Sequence, residues 1–242
     1  MLEVQGLHVN YGPVPAVRGV DLVVNPGEAI AVLGRNGAGK TTTLKAMAGL
    51  LPVTAGSIRI DGTDITNLPA EKRLKLGIAL VPEGRGMFPQ LSVRESLTMG
   101  AYHRKLSHAE VRSELARVTE RLPRLTERLD QASGSLSGGE QQMLAVARGL
   151  MSAPRIILVD EPSLGLAPIV IEQLYDLFVE LKEEGLTVLV VEQYVELALG
   201  FADRAYVLDK GEVAVSGGAS ELAASPELVE AYLSAAPEEV HS

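Results

Sequence analysis

The chain has 242 residues, room for one large domain or two small ones at roughly 100–200 residues each. With 46% hydrophobic and 22% charged residues it has the balance of a folded globular protein, which excludes wholesale disorder. A net charge of −9 argues against a broad nucleic-acid footprint, and the absence of cysteine removes disulfides, thiol nucleophiles and cysteine-held zinc or iron–sulfur sites.

In chain order, Leu2, Val4, Leu7 and Val9 alternate with polar residues, and Val17 to Val24 form a second β-rich run. No basic stretch leading into an apolar one opens the chain, so no secretory signal is expected. Apolar runs such as Ile156–Val159 and Val188–Val191 are far short of the about 20 residues a membrane span needs, so a soluble chain reaching any membrane through a partner is expected. EAIAVLG reads as a short apolar strand. TTTLKAMAGLL follows with helical spacing, Leu44, Met47, Ala48 and Leu51 sharing a face before Leu51-Pro52 ends it. SIRIDG is a strand closing on Asp61-Gly62, and GIALVP is a buried-strand candidate.

From about residue 93 to 130 the chain turns charged and helix-forming, as in AEVRSELARVTERLPRLTERLDQ. Beyond residue 150, β/α alternation returns: strand RIILVD, helix PIVIEQLYDLFVELKEEG, strand LTVLVVEQ, helix YVELALGFA, and a hairpin about Lys210-Gly211. A last helix is expected from Ser225-Pro226, then a frayed PEEVHS tail. Strands alternating with helices predict an α/β fold with a mostly parallel sheet, the antiparallel strands near the start lying at an edge or in a second small sheet. The expected organisation is one domain over 1–242, with a core at 1–82 and 154–242 and a helical subdomain at about 83–153.

Between the third predicted strand and its helix, Gly34-x4-Gly39-Lys40-Thr41 fits the phosphate-cradling pattern G-x-x-x-x-G-K-[ST]. Glycines let successive backbone N–H groups converge on one anion, and the helix start adds its positive dipole end. Lys40 would meet the β- and γ-phosphates, and the Thr41 hydroxyl would bind Mg2+. The order Gly34-x-x-Gly37-x-Gly39 is not the dinucleotide fingerprint. A second element, Arg155 to Glu161, is an apolar run ending in two acids: Asp160 would help hold Mg2+, and Glu161 would polarise the attacking water as general base. A third, Leu136 to Gln142 (LSGGEQQ), reads as another anion site, with Ser137 as helix cap and Gly138 and Gly139 exposing N–H groups. One nucleotide needs one phosphate loop, so this second cradle suggests a second chain clamping the same ATP.

In this order, GRNGAGKTT, VPEGRGMFPQLSV, LSGGEQQ, RIILVDEP, SLGLAP and VLVVEQ resemble the ATP-binding cassette (ABC) ATPases over nearly all of residues 1–235. VPEGR, PSLGLAP and VEQ resemble the subgroup that serves branched-chain amino-acid importers. The resemblance implies a P-loop NTPase core with a helical subdomain. It implies ATP and Mg2+ held by the segment Gly34, Arg35, Asn36, Gly37, Ala38, Gly39, Lys40, Thr41 and Thr42, with Tyr11 stacked on adenine. It also implies a head-to-tail pair of cassettes, expected to be two different ones, in which Ser137, Gly138 and Gly139 of one reach the nucleotide of the other. Two transmembrane permeases, indirectly a substrate-binding protein, and a place on the cytoplasmic face of the cell membrane complete the implied assembly.

Three positions depart from the general family pattern. Glu83 stands where a glutamine reaches Mg2+ and the water, Gln193 where a histidine touches the γ-phosphate, and Ala167 where an aspartate crosses the dimer interface. Gln193 is expected to sense the γ-phosphate without titrating. The cargo stays open between branched-chain amino acids, other amino acids, urea and short amides. A cassette ATPase acting on nucleic acid or ribosomes is disfavoured by the charge, and a small-molecule kinase would not need LSGGEQQ. His8, His103, His108 and His241 have no metal-ligand spacing and are expected on the surface; Ser163 lacks a nucleophile elbow, and Arg85 is given no site role.

Overall fold

The computed structural model describes residues 1–225. The expected helix from Ser225-Pro226, the PEEVHS tail and His241 lie outside the described residues. The chain begins with a hairpin of β1 (Leu2–Tyr11) and β2 (Val14–Val24), whose register closes at Tyr11 opposite Val14, so the second strand starts three residues before the Val17 that hydropathy marks. β3 (Ala29–Gly34) is buried along its whole length and runs into α1 (Lys40–Met47). β4 (Ala55–Ile60) and the two-residue β5 (Thr63–Asp64) join the first hairpin in an antiparallel sheet of order β2-β1-β4-β5, which is the second small sheet expected.

α2 (Ala70–Lys75) and β6 (Ile78–Val81) lead into a helical stretch of α3 (Val93–Gly100), α4 (His108–Thr119), α5 (Pro123–Thr126) and α6 (Gly138–Leu150). α3, α4 and α6 each start on a serine whose hydroxyl accepts from the N3 amide while the N3 glutamate reaches back, a reciprocal cap at Ser92, Ser107 and Ser137. Pro123 has no N–H for an unbroken helix, so the charged run divides into α4 and α5. β7 (Ile156–Asp160), α7 (Pro168–Glu183), β8 (Thr187–Glu192), α8 (Val195–Phe201), β9 (Arg204–Asp209), β10 (Glu212–Gly218) and α9 (Ala219–Ala223) complete the described chain.

The main sheet has the order β10-β9-β3-β8-β7-β6, parallel except for β10 at its edge. Its strands are apolar on both sides because both faces are covered. Ala29, Ala31 and Leu33 of β3 face a cluster with α3 to α9; Ile30 and Val32 face α1 and the antiparallel sheet. The cluster on the first face runs without a break from β7 and β8 through α6 into α3 and α4, so the helical segment shares a core with the sheet.

One expectation fails at α1, which stops at Met47 rather than at Leu51. Gly49, at φ +77°, turns its N–H back to the Ala46 carbonyl, and Leu50 donates to the Lys45 carbonyl, which leaves Leu50 exposed. The end of α1 is then sealed by Arg73, only 1% exposed. Its Nη1 donates to the carbonyls of Ala46 (2.7 Å) and Met47 (2.9 Å), Nη2 to Thr66 (2.7 Å) and Nε to Leu68 (2.9 Å). Burial lowers its pKa, but the guanidinium remains charged at any ordinary pH. Arg73→Met would leave these carbonyls without their donor, so urea unfolding should show a loss of about 2–3 kcal/mol.

Candidate functional site at the carboxyl ends of the parallel strands

Four adjacent parallel strands, β3, β8, β7 and β6, end at the same edge of the sheet, and the loops that follow them enclose a cavity of 540 Å³. Ligands of open α/β sheets bind at this edge, where the strands give out and polar groups can emerge. From the loop after β3 the cavity is lined by Arg35, Asn36, Gly37, Gly39, Lys40, Thr41 and Thr42; Tyr11, Glu83, Glu161 and Gln193 line it from elsewhere. Gly34 and Ala38 are buried under the loop rather than on its wall.

The loop can fold this tightly only with glycine at its ends. A Cβ on Gly34 would stand 2.5 Å from the Leu208 carbonyl oxygen, and one on Gly39 would stand 2.8 Å from that of Ala16. Lys40, the first residue of α1, is 4% exposed. Its Nζ curls back to donate to the carbonyls of Gly34 (2.8 Å) and Arg35 (3.2 Å) and lies 3.5 Å from Glu161 Oε1. A cation thus sits in the mouth of a loop whose backbone is shaped for an anion.

One residue on, Thr41 Oγ1 donates to Asp160 Oδ1 at 2.9 Å. Asp160 is 1% exposed, and its Oδ2 is buried with no hydrogen-bond partner. Burial raises its pKa, the Thr41 hydrogen bond opposes that rise, and the charges of Glu161 and Glu83 add to it. A buried oxygen without a donor, beside two further carboxylates, is relieved by a hard cation. Mg2+ fits, since it takes one or two carboxylates and fills the rest of its shell with water and phosphate oxygens.

Glu161 follows β7 in a left-handed conformation, φ +46°, held by its N–H to the Val191 carbonyl at 2.9 Å. The position is strained for a residue with a Cβ. Its side chain turns into the cavity, where Gln193 Nε2 lies 2.9 Å from each carboxylate oxygen and 2.8 Å from Asn36 Oδ1. One side-chain amide therefore connects the loops after β3, β7 and β8. Tyr11, half exposed at the end of β1, stands on the rim, and so does the exposed Glu83.

Ser137, Gly138 and Gly139 are not brought to this cavity. Ser137 and Gly139 open on a separate cleft with Glu140 and Val170, and Gly138 lies against the Arg85 guanidinium. Arg85, given no role from sequence, joins the loop after β6 to α6: its Nη1 donates to Gln141 Oε1 at 2.9 Å, and Arg148 donates to the carbonyls of Arg85 (2.8 Å) and Gly86 (2.7 Å). Ala167 occupies the N-cap of α7 without a side-chain hydrogen bond, a place where the absent aspartate would cap. His8 and His108 are exposed, but His103 corrects the surface expectation. It is half-buried, because the turn at 102–104 folds it inward.

Sequence reasoning also passed over Glu192. The signal was present, since Glu192 ends an apolar strand as Asp160 does.

Comparison with known proteins agrees with this geometry. A family model described as ABC transporter matches residues 17–164. The chain is 42% identical to the high-affinity branched-chain amino acid transport ATP-binding protein BraG of Pseudomonas aeruginosa, over 96% of this chain and 99% of that one. It is 37% identical to a probable branched-chain amino acid transport ATP-binding protein, LivF, of Archaeoglobus fulgidus (92% and 94% covered), and 35% identical to the lipopolysaccharide export system ATP-binding protein LptB of Escherichia coli (90% and 90%). Among solved structures, a nucleotide-free ATP-binding cassette from an ABC transporter superposes with TM-score 0.84 at 26% identity, covering 96% of this chain and 98% of that one. A dimeric bacterial ABC transporter cassette does so with TM-score 0.83 at 27% identity (90% and 99%). With its phosphate loop, its acid-ended strand and the match of one family across both, the chain belongs to the ABC transporter family and is one of its ATP-hydrolysing cassettes.

Proposed function

We propose that this cassette hydrolyses ATP at the interface of a head-to-tail pair and that the motion drives uptake of branched-chain amino acids through two partner permeases. The observation that carries the reading is the convergence of Lys40, Thr41, Glu161 and Gln193 in one cavity at the strand ends, with Asp160 buried behind Thr41. In this reading Lys40 and the N–H groups of residues 34–42 hold the phosphates, and Tyr11 stacks on the base. Thr41 and Asp160, with Glu83 on the rim, would hold Mg2+, which when bound neutralises phosphate charge.

Hydrolysis then needs a base and a fixed geometry. Glu161 takes a proton from the attacking water, and Gln193, already hydrogen-bonded to both of its oxygens, orients it and senses the γ-phosphate. Ser137 and Gly139 line a cleft separate from their own chain's cavity, and in this reading they cap, with Gly138, the nucleotide of a second cassette. Residues 83–153 act as the helical subdomain that passes the closure on.

The cargo reading rests on the relatives named for branched-chain amino acids, at 42% and 37% identity, and on the segments VPEGR, PSLGLAP and VEQ. A second reading, an export ATPase, is favoured by the LptB match at 35%. The reading places the chain at the cytoplasmic membrane face on its permeases, with a substrate-binding protein acting from the far side; no helix among the described residues is long and apolar enough to cross a membrane.

Glu161→Gln should cut ATP hydrolysis by about 10²–10⁴-fold while ATP stays bound and the pair accumulates as a stable dimer by size-exclusion chromatography; brisk turnover refutes the base assignment. Gln193→Ala should lower kcat by about tenfold with the Kd for ATP changed by less than about twofold, since the amide acts on the transition state. Normal kcat removes that role. Co-purification from native membranes should recover two permeases, a sister cassette and an amino-acid-binding protein; lipopolysaccharide-export partners, ribosomes or DNA in their place overturn the importer.

A further inference from the structure

The strand that delivers Gln193 ends on a buried acid. Alternation along β8 sends Val188 and Val190 to the α7 face of the sheet and Leu189 and Val191 to the α1 face, and by the same alternation Glu192 turns toward α7. It is 1% exposed. Its Oε1 accepts from the Ser163 backbone N–H and from the Tyr175 hydroxyl, each at 3.1 Å, and its Oε2 accepts from the Gln193 backbone N–H at 3.1 Å. All three donors are uncharged, and they come from three places: the loop after β7, helix α7 and the loop after β8.

Tyr175 is itself held still, edge-on to Phe178 at 5.6 Å and to Phe201 at 5.5 Å between ring centres. Burial, with Glu192 beside it, pushes its pKa up, so the hydroxyl keeps its proton and remains a donor. A carboxyl group in this setting is costly for stability, and an apolar side chain would fill the space at lower cost. What an apolar residue would not provide is a common anchor for two loops. Ser163 lies two residues beyond Glu161, and Gln193 is the residue that grips Glu161.

We infer that Glu192 is a positioning residue for hydrolysis: its buried carboxyl group ties the backbone after Glu161 to the backbone of Gln193, with the Tyr175 hydroxyl locking it in place. The inference rests on the proposed roles of Glu161 and Gln193. An amide can accept at one end only, so in Glu192→Gln one of the two loop amides loses its acceptor.

The test measures kcat, KM and hydrogen exchange for Glu192→Gln, Tyr175→Phe, Gln193→Ala and the double variant Glu192→Gln/Gln193→Ala. Glu192→Gln should lower kcat about tenfold with KM for ATP within about twofold, and Tyr175→Phe should lower kcat about threefold. One of the two loop amides, Ser163 or Gln193, should exchange faster in Glu192→Gln while those in the middle of α7 do not. The double variant should be no slower than Gln193→Ala alone by more than about twofold, because both changes act through the same side chain.

Full multiplication of the two losses overturns the inference. So does wild-type kcat in Glu192→Gln and Tyr175→Phe while Gln193→Ala is slow, a result that leaves the proposed catalytic roles standing. Normal turnover in Gln193→Ala removes the Gln193 role and the inference with it. Should Glu192→Gln fail to fold, Tyr175→Phe decides: lowered kcat at unchanged KM supports the positioning role, and unchanged kcat overturns it.

Discussion

A single hydrogen bond, from the Thr41 hydroxyl to the Asp160 carboxylate, joins segments 119 residues apart and brings the phosphate loop onto the strand that carries the acids. It forms in a setting hostile to charge. Asp160 is buried, one of its oxygens has no partner, and Glu161 and Glu83 add negative potential. The bond therefore satisfies only part of what the carboxylate needs, and the unsatisfied part is what gives the site its appetite for a cation. Lys40, held between loop carbonyls and Glu161, shows the complementary condition, a buried amine awaiting negative charge. Desolvation strengthens each of these interactions relative to water and penalises leaving them incomplete.

That polarity can exist only where the sheet stops. β3, β8, β7 and β6 lie side by side, and the two apolar clusters cover both faces of the sheet. No charged group can leave such a strand sideways without being buried in hydrocarbon, so the functional groups gather at the carboxyl ends. Asp160 and Glu192 are the last residues of their strands, and Glu161 and Gln193 follow them at once. Gln193 then binds Asn36 and Glu161 together, so one side chain ties three loops.

A second line of contacts runs from the cavity rim to the start of α6. Glu83 lines the cavity, Arg85 two residues on binds Gln141, and Gln141 Nε2 donates to the Leu136 carbonyl, one residue before the Ser137 cap. Arg148 fixes the same loop from the other end of α6. α6 also packs in the cluster beneath β6 and β7, while Ser137 and Gly139 at its start line a cleft separate from the cavity.

The residues to which the proposed chemistry is assigned were largely legible in the chain. Lys40, Thr41, Asp160 and Glu161 sit where a glycine-rich turn and an apolar run ending in acids place them, and Ser137 caps its helix as its spacing to Glu140 requires. These features are local: a phosphate cradle, a strand end and a helix cap are each specified by fewer than about ten consecutive residues. What the sequence could not convey was every relation between distant segments. The sealing of the α1 end depends on Arg73 reaching in from α2. The union of Gln193 with Asn36 and Glu161 depends on β8 lying between β3 and β7. The burial of Glu192 under Tyr175 depends on which face of the sheet α7 covers. Periodicity tells which side of a strand a residue faces but not what lies on that side; strand order and helix packing decide that, and they are properties of the whole core.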